Sequence, residues 1–141
     1  MTVPPSTEGL TAEDLSDIIL PVLPDQDLAA NARESLYHFD RAALVRHTKA
    51  QMVPRLQTWM RLQGRVEWPL PGPLALHWTL HVPAWRGDAD GWAGACKPWQ
   101  DCLALAGIIA HDGPRIVRRV SYTVERVDTD PWTTLRIERL A

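Results

Sequence analysis

Long apolar runs are absent from the 141-residue sequence, and no stretch approaches the ~20 apolar residues that cross a bilayer. The N-terminus also lacks a basic segment followed by an apolar one, so no secretory signal is visible. Cysteine is scarce, with Cys96 and Cys102 only. Their separation places them on different faces of a predicted helix. We therefore expect two reduced, buried thiols in the cytoplasm, without a mutual disulfide.

Basic residues are absent from positions 1–30, which carry a net charge of −6. Positions 31–65 carry +5 and positions 66–141 carry −1, so the overall charge of −2 conceals a basic middle. Clustered lysine and arginine can bind phosphates whatever the total charge. A solvated helix face explains the same cluster equally well.

Length and periodicity predict one domain of mixed α/β class, with a small sheet of three or four strands and two main helices. Residues 1–17 are expected to form a tail or short helix, and residues 18–141 the domain. The predicted elements are an extended or edge segment at 18–24, a helix at 40–63, a strand at 74–82, a helix from about 92 to 106, a strand at 115–127, and a last strand at 132–140 that is antiparallel to the one before it. Pro54 should kink or split the first helix, and Gly107 should end the second.

The strand at 74–82 alternates apolar and polar residues, which is typical of a half-buried strand. His77 and His81 share its polar face. Their spacing along a strand is too wide for a shared zinc ion, so we interpret them as half-exposed strand residues.

Carboxylates gather around the predicted second helix. Asp88 and Asp90 follow the strand end, Lys97 and Asp101 share a helix face, and Asp112 comes after the helix. Close carboxylates repel one another unless a cation neutralises them, and hard divalent ions prefer carboxylate oxygens. Such an ion can activate water for phosphodiester hydrolysis, while a lysine neutralises charge on the phosphoryl group.

Each part of this cluster also has a purely structural explanation. An Asp-x-Asp pair is usually a loop, Lys97 and Asp101 can form an exposed helix ion pair, and Asp112 can begin a turn with Gly113 and Pro114. A single site also sets a geometric condition, because residues 108–110 must run back beside the helix toward Lys97.

The stretch DADGWAGACKPWQDCLALAGIIAHD, residues 88–112, resembles the core motif of RusA-type Holliday junction resolvases of bacteria and phages. The matching positions are Asp88, Asp90, Lys97, Asp101, Leu103, Ala106, Gly107 and Asp112. Lys97–Pro98 and the upstream Asn31-x-Arg33 resemble the phage-type branch. Gly91 stands where that motif usually has Asn, and His111 where it has an acid.

The resemblance implies a RusA-like fold and a homodimeric endonuclease that uses Mg²⁺, or Mn²⁺ in its place, to cut four-way DNA junctions. Asp88, Asp90 and Asp112 would bind the metal, Lys97 would neutralise transition-state charge, and Asp101 would orient Lys97 or a metal-bound water. The residues expected to bind DNA are Asn31, Arg33, Arg41, Arg46, Lys49, Arg115, Arg118 and Arg119.

Two alternatives remain open at this point. The substitutions Gly91 and His111 suit a weakly active or inactive protein of the same fold that only binds branched DNA. The acidic and basic residues can also pair across a dimer in a structural protein.

Overall fold

The structure, a computed structural model, describes residues 15–24, 38–84 and 89–140, with the side chains of 38–41 and 89–90 outside that description. A four-stranded mixed sheet packs against two helices, which confirms the predicted class. The elements are β1 (Ile18–Leu20), α1 (His38–Leu62), β2 (Leu74–Val82), α2 (Ala89–Ala106), β3 (Val117–Arg126) and β4 (Trp132–Arg139). Neither α1 nor α2 is long and apolar enough to cross a membrane.

The centre of the core is the apolar face of β2. Its alternating residues Leu74, Leu76, Trp78, Leu80 and Val82 are all at most 1% exposed. The predicted stripe of α2 covers this face, and the Trp78 and Trp99 rings lie 6.2 Å apart, centroid to centroid. The apolar residues recur every second position along β2 and about every 3.6 positions along α2. These two apolar faces therefore pack against each other.

The order of the strands is β1-β4-β2-β3. β4 has the predicted direction but does not pair with β3. Instead, β2 pairs in parallel with β3 and antiparallel with β4. The loop after β3 passes the end of β2, where the Val127 amide donates to the Val82 carbonyl at 2.8 Å. The short Ile18–Leu20 strand pairs with β4 at the sheet edge, as the proline-flanked segment predicts.

The structure narrows two predictions for the first half of the chain. Pro54 was predicted to kink or split α1, and it lies inside a single helix, so the helix is not split. Buried Met52 and Leu56 anchor the helix on both sides of the proline. No helix is present at residues 15–17, while residues 11–14 of the predicted short helix lie outside the described part.

The chain reverses sharply after α2. Gly107 has a φ of +94°, a left-handed conformation that glycine adopts without steric cost. The Ile108 amide then donates to the Leu103 carbonyl at 2.9 Å, and the Ile108 carbonyl accepts from the Leu70 amide at 2.8 Å. Ile108 and Ile109 are at most 1% exposed, so the returning segment is anchored in the core.

Both cysteines are buried free thiols, as predicted from their spacing. Burial raises the pKa of Cys96 to about 12 and that of Cys102 to about 11. Both groups are therefore neutral thiols near pH 7 and serve as small core residues.

Replacement of Ile108 with alanine should lower the free energy of unfolding by about 2–5 kcal/mol, because it empties a fully buried site. The matched control is Ile19→Ala, where the side chain is 68% exposed and the change should stay within about 0.5 kcal/mol. Urea unfolding measures both. Equal losses would show that the returning segment is not anchored by Ile108.

Candidate active site

The Lys97 ammonium lies between two carboxylates. Its Nζ is 2.9 Å from Asp101 Oδ1 and 2.6 Å from Asp112 Oδ2. All three side chains reach solvent, with 57%, 37% and 39% exposure for Lys97, Asp101 and Asp112. The geometric condition set by the sequence is met, since the chain runs back far enough for Asp112 to contact Lys97.

Helix α2 and the turn after it position these groups. Lys97 and Asp101 lie one turn apart on the outer side of α2, while Cys96 and Trp99 bury the inner side. Asp112 comes from the segment that follows the buried Ile109. The Asp112 carboxylate, which contacts Lys97, is therefore positioned by core packing and not by a long loop.

His111 completes the turn beside Asp112. Its Nδ1 accepts a hydrogen bond from the Gly113 amide at 3.0 Å. The Gly113 carbonyl in turn accepts from the Ile116 and Val117 amides, both at 2.9 Å, at the start of β3. His111 thus stabilises the local backbone at the position where the RusA-type motif has an acidic residue.

The ion pairs stabilise the charged forms of both partners. The hydrogen bond and the charge of Lys97 lower the pKa of Asp112. The hydrogen bond to Asp112 is the main cause of a raised pKa for Lys97, with Asp101 adding to it against a desolvation effect in the other direction. Two carboxylates and one ammonium leave one net negative charge, which attracts a further cation.

The donor chemistry fits a hard divalent ion. Asp101 and Asp112 direct carboxylate oxygens toward the same ammonium, and Mg²⁺ prefers oxygen ligands of this kind. Among the side chains that the structure describes, no three His, Cys, Asp or Glu converge on one point. Asp88 lies outside the described residues, as does the side chain of Asp90. The Asp90 backbone lies in α2 two turns before Lys97, about 10 Å along the axis, and the two positions share a helix face.

Three of the expected DNA-binding residues follow this site along the chain. Arg115, Arg118 and Arg119 are exposed and immediately follow the turn that carries Asp112. Arg46 is exposed on α1. Lys49 is half-buried there and lies near enough to α2 for its charge to oppose the rise in the Cys102 pKa. Asn31, Arg33 and the Arg41 side chain lie outside the described part of the chain.

Tyr122 lies near enough to the site for the charge of Lys97 to act on its phenol, and its sequence position did not single it out. It lies on β3, opposite Trp78 in the register with β2, and its side chain is half-buried. Burial raises the pKa of its phenol, while the positive charge of Lys97 opposes the rise. The sequence signal was only its place on the apolar face of the strand.

The two histidines of β2 take no part in this cluster. His77 Nδ1 lies 2.7 Å from Ser121 Oγ on β3, and His81 Nε2 lies 3.1 Å from Thr134 Oγ1 on β4. Their side chains are 22% and 12% exposed. Both are strand residues, as predicted, but they are more buried than the half-exposed positions expected, and they connect β2 to its neighbours.

No protein-family model matches this chain, and no curated protein matches it either. The assignment to RusA-type resolvases therefore stays a prediction from the motif at residues 88–112.

Replacement of Asp112 with asparagine should destabilise the fold by less than about 1 kcal/mol near pH 7, because the pair is exposed. Since the folded-state pKa of Asp112 is lowered, its contribution is complete above the unfolded value of about 3.9 and is lost as the pH falls through the folded value. Lys97 has a raised pKa, so its contribution is lost only at high pH, as the pH rises through its folded value.

Urea unfolding of wild type and Asp112→Asn between pH 2 and pH 8 measures this difference. Asp128→Asn removes a more exposed ion pair with Arg126 and should lower the free energy of unfolding by less. If the difference in the free energy of unfolding between wild type and Asp112→Asn grew on acidification, the lowered pKa of Asp112 in its pair with Lys97 would be wrong.

Proposed function

We propose that the protein is a Mg²⁺-dependent endonuclease that cuts Holliday junctions or similar branched DNA by metal-assisted phosphodiester hydrolysis. The observation that carries the proposal is the contact of Lys97 with both Asp101 and Asp112. The reversal of the chain brings Asp112 back to Lys97, from which it is separated by 15 residues along the sequence, so three positions of the RusA-type motif meet.

The proposed roles follow from charge and position. Asp112 would hold the metal together with Asp88 and Asp90, and the bound ion would supply an activated water. Lys97 would neutralise the charge that develops on the phosphoryl group. Asp101 would keep the ammonium oriented, because it lies one helical turn away and contacts Lys97 at 2.9 Å.

The exposed arginines at the start of β3 suit contacts with the DNA backbone. Arg115, Arg118 and Arg119 would contact DNA phosphates, with Arg119 on the sheet face that it shares with Ser121, and Arg46 and Lys49 would extend the surface along α1. Such contacts provide affinity but read no sequence. A homodimer would present two sites for symmetric cuts, and DNA shape would then supply the preference for junctions. We place this activity in the cytoplasm, in keeping with the two free thiols.

A weakly active or inactive protein that binds branched DNA is the second candidate, and His111 favours it. The ring nitrogen Nδ1 of His111 already accepts from the Gly113 amide, so that atom does not replace the missing acid as a metal ligand. This candidate keeps the DNA-binding surface and loses the hydrolysis.

A synthetic four-way junction incubated with Mg²⁺ should be nicked by the wild-type protein, and Asp112→Asn should reduce the rate by at least about 100-fold. Junction binding should persist, because the lost carboxylate repels phosphate. Asp90→Asn should behave in the same way. Asp128→Asn, on an exposed turn at 87% exposure, serves as the charge-matched control and should cut normally.

The outcome of this assay separates the candidates. Tight binding without any nicking by wild type would favour the inactive DNA-binding protein. Nicking that survives Asp112→Asn would remove Asp112 from the site, and absence of salt-dependent DNA binding would exclude both candidates.

Replacement of Arg119 with alanine should weaken junction binding and reduce the slope of log K against log salt by about 0.9, which corresponds to one lost phosphate contact. Arg65→Ala removes another exposed arginine that lies outside the proposed surface and should leave the slope unchanged. Binding measured at four salt concentrations gives both slopes. Equal slopes for wild type and Arg119→Ala would exclude Arg119 from the phosphate contacts.

A further inference from the structure

We propose that Lys97 is the built-in counter-ion of Asp112 and that a divalent cation displaces it, so that metal binding itself frees the ammonium to meet the DNA phosphate. This inference rests on the proposed function for the identity of the bound ion. It adds a step of regulation, because the site would hold its own lysine until the metal arrives.

The geometry places Lys97 in competition with a metal for the same oxygen atoms. Asp112 Oδ2 lies 2.6 Å from Lys97 Nζ, so its near lone pairs are directed at the ammonium. A Mg²⁺ ion would need the carboxylate at about 2.1 Å. The two cations would then lie within about 4 Å of each other, where like charges repel, and the divalent ion binds the carboxylate more strongly.

Metal binding would affect the Lys97 contacts with Asp101 and Asp112 differently, because the two aspartates belong to different segments. Asp101 lies on α2 with Lys97, and their contact depends only on the helix. Asp112 belongs to the returning turn, and its contact crosses between segments. Loss of the Asp112 contact therefore leaves the ammonium tethered by Asp101 at the edge of the site. Lys97 would pivot instead of moving out into solvent.

Lysine is an uncommon choice in this chain, which has thirteen arginines and two lysines, Lys49 and Lys97. A guanidinium would bind carboxylates through a rigid, planar set of donors. An ammonium on a flexible stem makes single contacts and can turn about Asp101. Position 97 therefore carries the basic residue that is better suited to release one of two partners.

The small number of lysines makes a direct observation practical. Protein labelled with ¹³C at the lysine ε carbon should give two resonances, and Lys49→Arg identifies the one that belongs to Lys97. Titration with Mg²⁺ in the absence of DNA should move the Lys97 resonance with a saturating curve, while the Lys49 resonance moves less. In Asp112→Asn the Lys97 resonance should start near its displaced position and should not respond to Mg²⁺.

Metal affinity gives an independent measure, with Mn²⁺ binding followed by electron paramagnetic resonance. Lys97→Met should bind Mn²⁺ about three- to tenfold more tightly than wild type, because the competing cation is gone. Lys97→Arg should bind no more tightly than wild type. Arg126→Met removes a cation from a different exposed ion pair and should leave Mn²⁺ affinity unchanged.

These results separate the inference from the proposed function. Displacement of Lys97 by Mg²⁺ without DNA cleavage would support the inference and contradict the nuclease. Cleavage that requires Mg²⁺, with a stationary Lys97 resonance or with weaker Mn²⁺ binding by Lys97→Met, would overturn the inference and leave the nuclease standing. Absence of any Mn²⁺ binding would overturn both.

Discussion

The contact between Lys97 and Asp112 is the interaction on which the arrangement of this site depends. It joins α2 to the segment that returns from its end, and it exists because Gly107 lets the chain reverse and the buried Ile108 holds it there. Without the reversal, α2 would carry only an ordinary exposed ion pair between Lys97 and Asp101. Exposed ion pairs contribute little to stability. The importance of the Lys97–Asp112 contact therefore lies in the arrangement of charges that it creates.

The sheet provides the rigid base for this arrangement. β2 lies between β3 and β4, and its apolar face holds the buried side of α2 through contacts such as Trp78 with Trp99. The parallel pairing of β2 with β3 requires a crossover, and α2 with the returning turn is that crossover. The candidate site thus lies on the connection between two adjacent strands, with exposed arginines where the second strand begins.

Much of this could be predicted from the sequence, and the rest depends on contacts distant along the chain. Alternation in β2 and the stripe of α2 are local periodicities, so both elements were predicted closely, as was the end of α2 at Gly107. The pairing of β4 with β2 was not predicted, because neighbouring strands in the sequence carry no signal for which edge they join. Pro54 was predicted to kink or split α1, and the helix is not split, because buried Met52 and Leu56 anchor it on both sides of the proline. For the site, the spacing required the chain to return toward Lys97, and the buried turn after α2 provides that return. Nothing local indicated that the charge of Lys97 would act on Tyr122.

We propose that these carboxylates hold a divalent ion where the Lys97 ammonium now contacts Asp112. A crystal of the protein soaked in Mn²⁺ tests it most directly, because Mn²⁺ gives an anomalous signal that identifies the ion. We expect a peak in coordination range of Asp112, at about 2.1 Å as for Mg²⁺, with Asp88 and Asp90 as further ligands and the Lys97 ammonium turned away from Asp112. A map with no peak at Asp112, and with Lys97 still in contact with that carboxylate, would contradict it.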